Sequence, residues 1–132
     1  MSAELPAVSV VMPLFNKQDQ VLASVSSVLA QSFTDWELII VDDGSTDDSF
    51  AICADVADPR VRILRQKNAG VSAARNTGIR AARSELVAFL DADDLWLPEF
   101  LAAVTGLARD FPEAGILATS YRFEAEHGRS FD

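Results

Sequence analysis

Three stretches of this chain are apolar at almost every position: Val8 to Leu14, Trp36 to Val41 and Leu86 to Leu90. Each is rich in Val, Ile, Leu or Phe and closes on Pro or Asp. A strand with one face in water alternates, so unbroken runs of this length predict strands covered on both faces, as in a parallel sheet. A weaker run, Val61-Arg62-Ile63-Leu64, suits a sheet edge, and Gly115 to Tyr121 predicts a last strand.

Between these runs the apolar spacing turns helical. Val21, Val25, Val28 and Leu29 mark a first helix, Phe50, Ile52, Ala54 and Val56 a second, and Ala73, Ala74, Ile79 and Ala82 a third. Asp47 or Asp48 can cap the second and Ser72 the third. Pro98 is placed for the first turn of a fourth helix, Leu97 to Arg109, where its missing N–H costs nothing. Gly78 weakens the expectation for the last turn of the third helix. The order β-α-β-α-β-α-β-α-β predicts an α/β fold: a doubly wound, mostly parallel sheet with helices on both faces and right-handed crossovers. In such sheets ligands bind beyond the carboxyl ends of the strands, near the point where strand order reverses. With a strand order of 3-2-1-4, the polar segments after strands 2, 1 and 4 converge on one crevice.

Composition narrows the function. At 132 residues and 49% hydrophobic, the chain has room for a single domain with a real core. A net charge of −9 argues against nucleic acid as a partner, because the phosphate backbone would be repelled. It also means that phosphate chemistry here requires a bound cation or local arginines. One cysteine and one histidine exclude a disulfide framework and a zinc site of usual composition. With no signal-peptide pattern and no transmembrane segment in the sequence, a cytoplasmic location is expected.

Three polar clusters follow the strands. Asp91, Asp93 and Asp94 bring three carboxylates together, which repel one another unless a cation neutralises them; hard oxygen donors suit Mg²⁺ or Mn²⁺. Their ordinary structural use would be to cap the helix near Pro98. Asp42 and Asp43, followed by Gly44-Ser45-Thr46-Asp47, read either as a turn and helix cap or as carboxylates that accept a base N–H or a sugar hydroxyl. Pro13, Phe15 and Asn16 close the first strand, where an aromatic ring is either core or a platform for a nucleobase. In Asn68 to Gly78, Gly70 precedes a helix start whose N–H groups could approach an anion, with Arg75 nearby as either a surface ion pair or a nucleotide contact. The three-glycine dinucleotide fingerprint is absent.

Taken in order, Val10-Val11-Met12-Pro13-Leu14-Phe15-Asn16, Ile39 to Asp47, Asn68 to Gly78 and Phe89-Leu90-Asp91-Ala92-Asp93-Asp94 resemble the family-2 glycosyltransferases of the GT-A fold. The resemblance implies a nucleotide-sugar donor, usually a UDP-sugar, and a carbohydrate or lipid-linked acceptor. It also implies metal-dependent transfer of the sugar to an acceptor hydroxyl with inversion. Carried over by position, Phe15 stacks on the base, Asp42 with Asp43 reads base and ribose, and Arg75 approaches the nucleotide. Asp91 and Asp93 match the Asp-X-Asp element that holds Mn²⁺ or Mg²⁺, with Asp93 as the direct ligand. Pro13, Asn16 and Gly70 complete the expected nucleotide contacts.

Residues 1–132 thus read as one nucleotide-sugar-binding domain, truncated before the acceptor-binding region that supplies the family's general base. Glu113, Glu124, Glu126 and Asp132 are available carboxylates, none in a string that matches that base. An unpaired sheet edge would let two chains pair as a homo-oligomer. A non-catalytic nucleotide or nucleotide-sugar binding module is the alternative function. A phosphoacceptor domain is excluded because it needs its acidic pair after the first strand, where this chain has Pro13 and Asn16.

Overall fold

The computed structural model describes residues 5–113, 115, 123–124 and 130–131. Its central sheet holds β1 (Val8–Leu14), β2 (Trp36–Asp42), β3 (Val61–Arg65) and β4 (Val87–Phe89), all parallel, in the order β3-β2-β1-β4. This is the expected order, with the reversal between β1 and β4. Helices α1 (Val21–Leu29), α2 (Ser49–Ala54), α3 (Val71–Ala81) and α4 (Phe100–Asp110) alternate with the strands. A short antiparallel pair, β5 (Phe123–Glu124) with β6 (Ser130–Phe131), follows. The strand expected at Gly115 to Tyr121 lies outside the described residues, apart from Gly115.

Every residue of β1 and β2 is buried, and the two-residue alternation of a strand sorts them between two layers. Val8, Val10, Met12 and Leu14 pack with Leu38 and Ile40 against Val21, Val25 and Val28 of α1, Cys53 of α2 and Leu101 of α4. On the opposite face, Ile39 and Val41 meet Ala74 of α3, with Leu64, Ala81 and Ala82 around them. A sheet sandwiched in this way has no polar face, hence the unbroken apolar runs. Pro13 is tolerated because β4 pairs with β1 only as far as Val11, so Pro13 has a strand neighbour on one side alone.

Several helix starts differ from the sequence expectation. Helix α3 begins at Val71 after an N-cap at Gly70, so Ser72 lies inside its first turn rather than capping it. Gly70 adopts φ 99 and ψ 163, backbone angles essentially confined to glycine, and this bend sets the helix start. Helix α4 begins at Phe100 rather than Leu97; Pro98 sits in a preceding turn closed by Phe100 N–H on the Leu97 carbonyl. At α2, Asp48 holds the cap position, but it is Asp47 whose Oδ1 accepts the Ser49 N–H at 2.9 Å. Helix α3 runs straight through Gly78.

At the amino end of the sheet, buried Glu37 gathers the Ser9 hydroxyl at 2.6 Å, the Arg83 N–H at 2.7 Å, the Arg83 Nε at 3.1 Å and Arg62 Nη2 at 3.2 Å. These bonds tie β1, β2, β3 and the α3–β4 link together. Burial pushes the Glu37 carboxyl up, but the hydrogen bonds from Ser9 and Arg83, with the Arg83 charge, outweigh it and leave the pKa lowered. A folded-state pKa below the unfolded one stabilises the fold at neutral pH, and the contribution disappears as pH falls through the folded value. Glu37→Gln is expected to cost about 1–3 kcal/mol at pH 7. Melting curves against pH check this: the gap between wild type and variant closes on acidification.

Candidate nucleotide site

The carboxyl ends of β1, β2 and β4 open onto a cleft of about 490 Å³. Pro13, Phe15 and Lys17 line it from the β1 side, Asp43 and Asn68 from the middle, and Arg75, Asp91 and Asp93 close it. Gly70, Val71 and Ala74 bring the start of α3 to its wall. Of the nine expected nucleotide contacts, the structure brings seven together here: Pro13, Phe15, Asp43, Gly70, Arg75, Asp91 and Asp93.

Asn16, which is exposed, and Asp42, which is buried, are not part of the cleft lining; they fix the loops around it. Asn16 takes a positive φ of 49, which asparagine tolerates better than most residues, and turns the chain out of β1. Its Oδ1 accepts the Thr46 N–H at 2.8 Å and its own N–H donates to Ser45 Oγ at 2.9 Å. The Lys17 N–H donates to Ser49 Oγ at 2.9 Å. The loop after β1 is thereby latched to the loop after β2, and Phe15 is left 44% exposed at the mouth of the cleft. Asp42 is fully buried; its Oδ2 accepts the Ser45 N–H at 3.2 Å and faces Arg65 Nε at 3.4 Å.

Asp43 organises the middle of the site. Its Oδ1 accepts Gln66 Nε2 and the Ala69 N–H, both at 2.9 Å, and its Oδ2 accepts the Gly70 N–H at 2.9 Å and Asn68 Nδ2 at 3.3 Å. Burial raises its pKa, but the bonds from Gln66, Ala69 and Gly70 prevail and hold it below the usual value. The Gly70 N–H is thus committed to Asp43, and what Gly70 contributes is its backbone bend. Gly44 matters equally: at φ 78 it passes so close to Asn68 that an added Cβ would stand 2.9 Å from the Asn68 nitrogen.

Asp91, Asp93 and Asp94 place carboxylate oxygens within 4.8 Å of one another. Asp94 shows the strain of that arrangement: burial first, then the charges of Asp93 and Asp91, push its pKa up. Cations face the other two, Arg75 Nη2 standing 3.3 Å from Asp91 Oδ1 and Lys17 Nζ 3.6 Å from Asp93 Oδ2. Neither Asp93 nor Asp94 caps α4, which starts at Phe100. The acidic loop is held instead by polar residues of the α1 segment. Ser24 Oγ donates to the Asp94 carbonyl at 2.5 Å, Ser27 Oγ accepts the Trp96 N–H at 3.2 Å, and Gln31 bridges the Leu97 carbonyl and the Leu101 N–H.

Sequence reasoning passed over Lys17, Asn68 and these α1 residues. Lys17 follows directly on the Phe15-Asn16 pair, so its position was a usable signal. Ser24 and Gln31 carried none, since their partners lie about 70 residues away in the chain.

The sequence matches the family described as Glycosyl transferase family 2 over residues 9–131, nearly its whole length. The chain belongs to that family. Among curated relatives, it is 40% identical over 91 residues to the Escherichia coli UDP-Glc:alpha-D-GlcNAc-diphosphoundecaprenol beta-1,3-glucosyltransferase WfgD, a match covering 68% of this chain and 36% of the relative. Among solved structures, Staphylococcus aureus TarS in complex with UDP-GlcNAc superimposes with a TM-score of 0.73 at 25% identity, over 80% of this chain and 32% of that one. The mannosyltransferase PcManGT from Pyrobaculum calidifontis, in complex with GDP-Man and Mn²⁺, gives a TM-score of 0.72 at 29% identity, over 80% and 33%. This family-2 chain therefore has the GT-A architecture and spans about a third of the length of the relatives it matches. Among the described residues, no helix is long and apolar enough to cross a membrane.

Proposed function

We propose that this chain forms the donor half of a glycosyltransferase that moves a sugar, with inversion, from a nucleoside-diphosphate sugar to an acceptor hydroxyl. The observation that carries the proposal is the cleft in which an exposed aromatic ring, a hydrogen-bonded carboxylate, two cations and an acidic loop converge. Phe15 offers its ring to the base. Asp43 accepts from base or ribose: its 3.3 Å contact from Asn68 is its longest, and a ligand N–H or O–H can replace it while Asn68 keeps its 3.0 Å bond to the Asp43 carbonyl.

The acidic loop fits a divalent cation. It supplies hard oxygen donors from Asp91, Asp93 and Asp94 within 4.8 Å of one another, and a cation there would offset the repulsion among the three carboxylates. Bound there, Mn²⁺ or Mg²⁺ would act as a Lewis acid that offsets the charge developing on the departing diphosphate. Lys17 and Arg75, now paired with Asp93 and Asp91, lie where they can turn toward phosphate oxygens once a cation takes over those carboxylates. An acidic protein can in this way hold a pyrophosphate. The UDP-GlcNAc and GDP-Man bound by the two structural relatives support a nucleotide-sugar donor, with UDP as the first candidate.

The test is thermal melting of the protein with UDP, GDP and their sugar conjugates, each with Mn²⁺ or with chelator. A nucleotide bound only by the folded state raises Tm by mass action, and the rise should require the metal. Phe15→Ala should weaken that nucleotide by about 1–3 kcal/mol, the usual worth of stacking one base on an aromatic ring. No metal-dependent shift with any nucleoside diphosphate would overturn the proposal.

A further inference from the structure

Across the Gln66–Gly70 segment from the nucleotide cleft lies a second, shallower cleft of about 380 Å³. It runs between the end of β3 and one face of α3, and Gln66, Lys67, Asn76, Thr77 and Arg80 supply its polar lining. Among the described residues, every other lysine and arginine is ion-paired with a carboxylate. Lys67 and Arg80 are not, and both line this one cleft. Seven paired cations are what a chain with a net charge of −9 should show, because carboxylates outnumber their partners. Two cations without an ion pair among the described residues, at one concavity, therefore run against the electrostatics of those residues.

We infer that this cleft binds a phosphate-type anion, at a place separate from the nucleotide cleft. The lining suits that chemistry. Arg80 presents a guanidinium fork, Lys67 a mobile ammonium, and Asn76 an exposed amide donor, the mixture that satisfies a tetrahedral oxyanion from several directions. Arg80 is steered toward the cleft wall by a 3.3 Å bond from its Nη2 to Thr77 Oγ1.

The wall between the two clefts is hydrogen-bonded through. Thr77 Oγ1 donates to Gln66 Oε1 at 2.6 Å, and Gln66 Nε2 donates to Asp43 Oδ1 at 2.9 Å. An anion that draws on Arg80 or Thr77 thus pulls on the residue that shapes the nucleotide site. Occupancy of the second cleft is expected to change nucleotide affinity, and by linkage the nucleotide changes the anion's affinity by the same factor. The anion has two candidate sources, a soluble phosphate or phosphorylated metabolite and the headgroup of an anionic lipid.

The experiment is carried out without metal or nucleotide, so that its outcome does not depend on the donor site. Backbone amide NMR shifts are followed while inorganic phosphate is added in the presence of chelator. Saturable shifts should centre on Lys67, Asn76, Thr77 and Arg80 and weaken as sodium chloride is raised. The Lys67→Ala/Arg80→Ala double variant, altered only at exposed side chains, should fold normally and bind phosphate at least tenfold more weakly. A second arm measures co-sedimentation with vesicles of phosphatidylcholine with or without phosphatidylglycerol. Binding to the anionic vesicles that the double variant loses identifies the lipid source; phosphate shifts without vesicle binding identify the soluble one. The inference fails if wild type shows neither response, or if the double variant retains both.

Discussion

Asp93→Ala is expected to abolish the metal-dependent rise in melting temperature with UDP while leaving the unliganded protein as stable as wild type or slightly more so. The two halves of this result have different causes. Without ligand, Asp93 is one of three carboxylates crowded within 4.8 Å, and its charge is among those that push the Asp94 pKa up. Removing it relieves repulsion, and the exposed Lys17 pair that is lost with it is worth little. With ligand, the same carboxylate is the proposed direct contact to the cation that holds the diphosphate. A 100-fold loss of affinity lowers the stabilisation from ligand at 100 times the wild-type Kd from about 2.7 to about 0.4 kcal/mol, and a larger loss removes it. Calorimetric titration of UDP with Mn²⁺, beside melting curves of the two free proteins, measures both halves. An Asp93→Ala protein that is destabilised on its own yet still binds UDP–Mn²⁺ would show that Asp93 serves the loop and not the metal.

The second large effect is at Gly78. Helix propensity alone says that Gly78→Ala, deep inside α3, should stabilise by roughly 1 kcal/mol. The packing reverses the sign. An added Cβ would stand 2.3 Å from Val11 Cγ1 and 3.0 Å from Val11 Cγ2. Val11 is fully buried in β1, paired on one side with Ile39 and on the other with Phe89, so it has no room to withdraw. Overpacking of this kind costs about 1–3 kcal/mol or more. After the propensity gain is subtracted, up to about 2 kcal/mol of destabilisation is left, a net fall in Tm of up to roughly 8 °C for a domain of this size. Gly106→Ala in α4 is the matched control: its Cβ would meet nothing nearer than the flexible end of Arg109, at 3.9 Å, so propensity should prevail and Tm should rise. If both substitutions moved Tm in the same direction, close packing of α3 on β1 would not be what Gly78 provides.

Gly78 also shows where one-dimensional reasoning stopped. Its spacing within the helical pattern was legible and its composition looked like a flaw, yet the reason for a glycine there is a valine 67 residues earlier in the chain. The helix starts behaved similarly. Ser72 and Pro98 carried the usual starting signals, but the backbone bend at Gly70 and the fit of the acidic loop against α1 placed α3 and α4 elsewhere. At the site, polar clusters after the strands and at the start of α3, together with the family resemblance, pointed to Phe15, Asp43, Arg75, Asp91 and Asp93, all of which line the cleft. The resemblance put Asp42 first with Asp43 beside it, and the structure reverses that order: Asp43 lines the cleft and Asp42 does not. Alternation along β2 puts Asp42 on the same face as Trp36, Leu38 and Ile40, toward the α1 and α2 layer, and the chain leaving the strand brings Asp43 to the cleft.

The sequence by itself determined the α/β class, the buried parallel strands, the family and the neighbourhood of the candidate cleft. The fold class and strands depend on local periodicity, the family on four motifs in order, and the site on polar residues that follow the strands, all of them properties of contiguous segments. The tertiary structure decided which carboxylate lines the cleft, why α3 needs a glycine, what holds the acidic loop, and that Lys67 and Arg80 share a cleft. Each of these is a distance between groups far apart in the chain, fixed only when the strands take the order β3-β2-β1-β4 and the helices close over both faces.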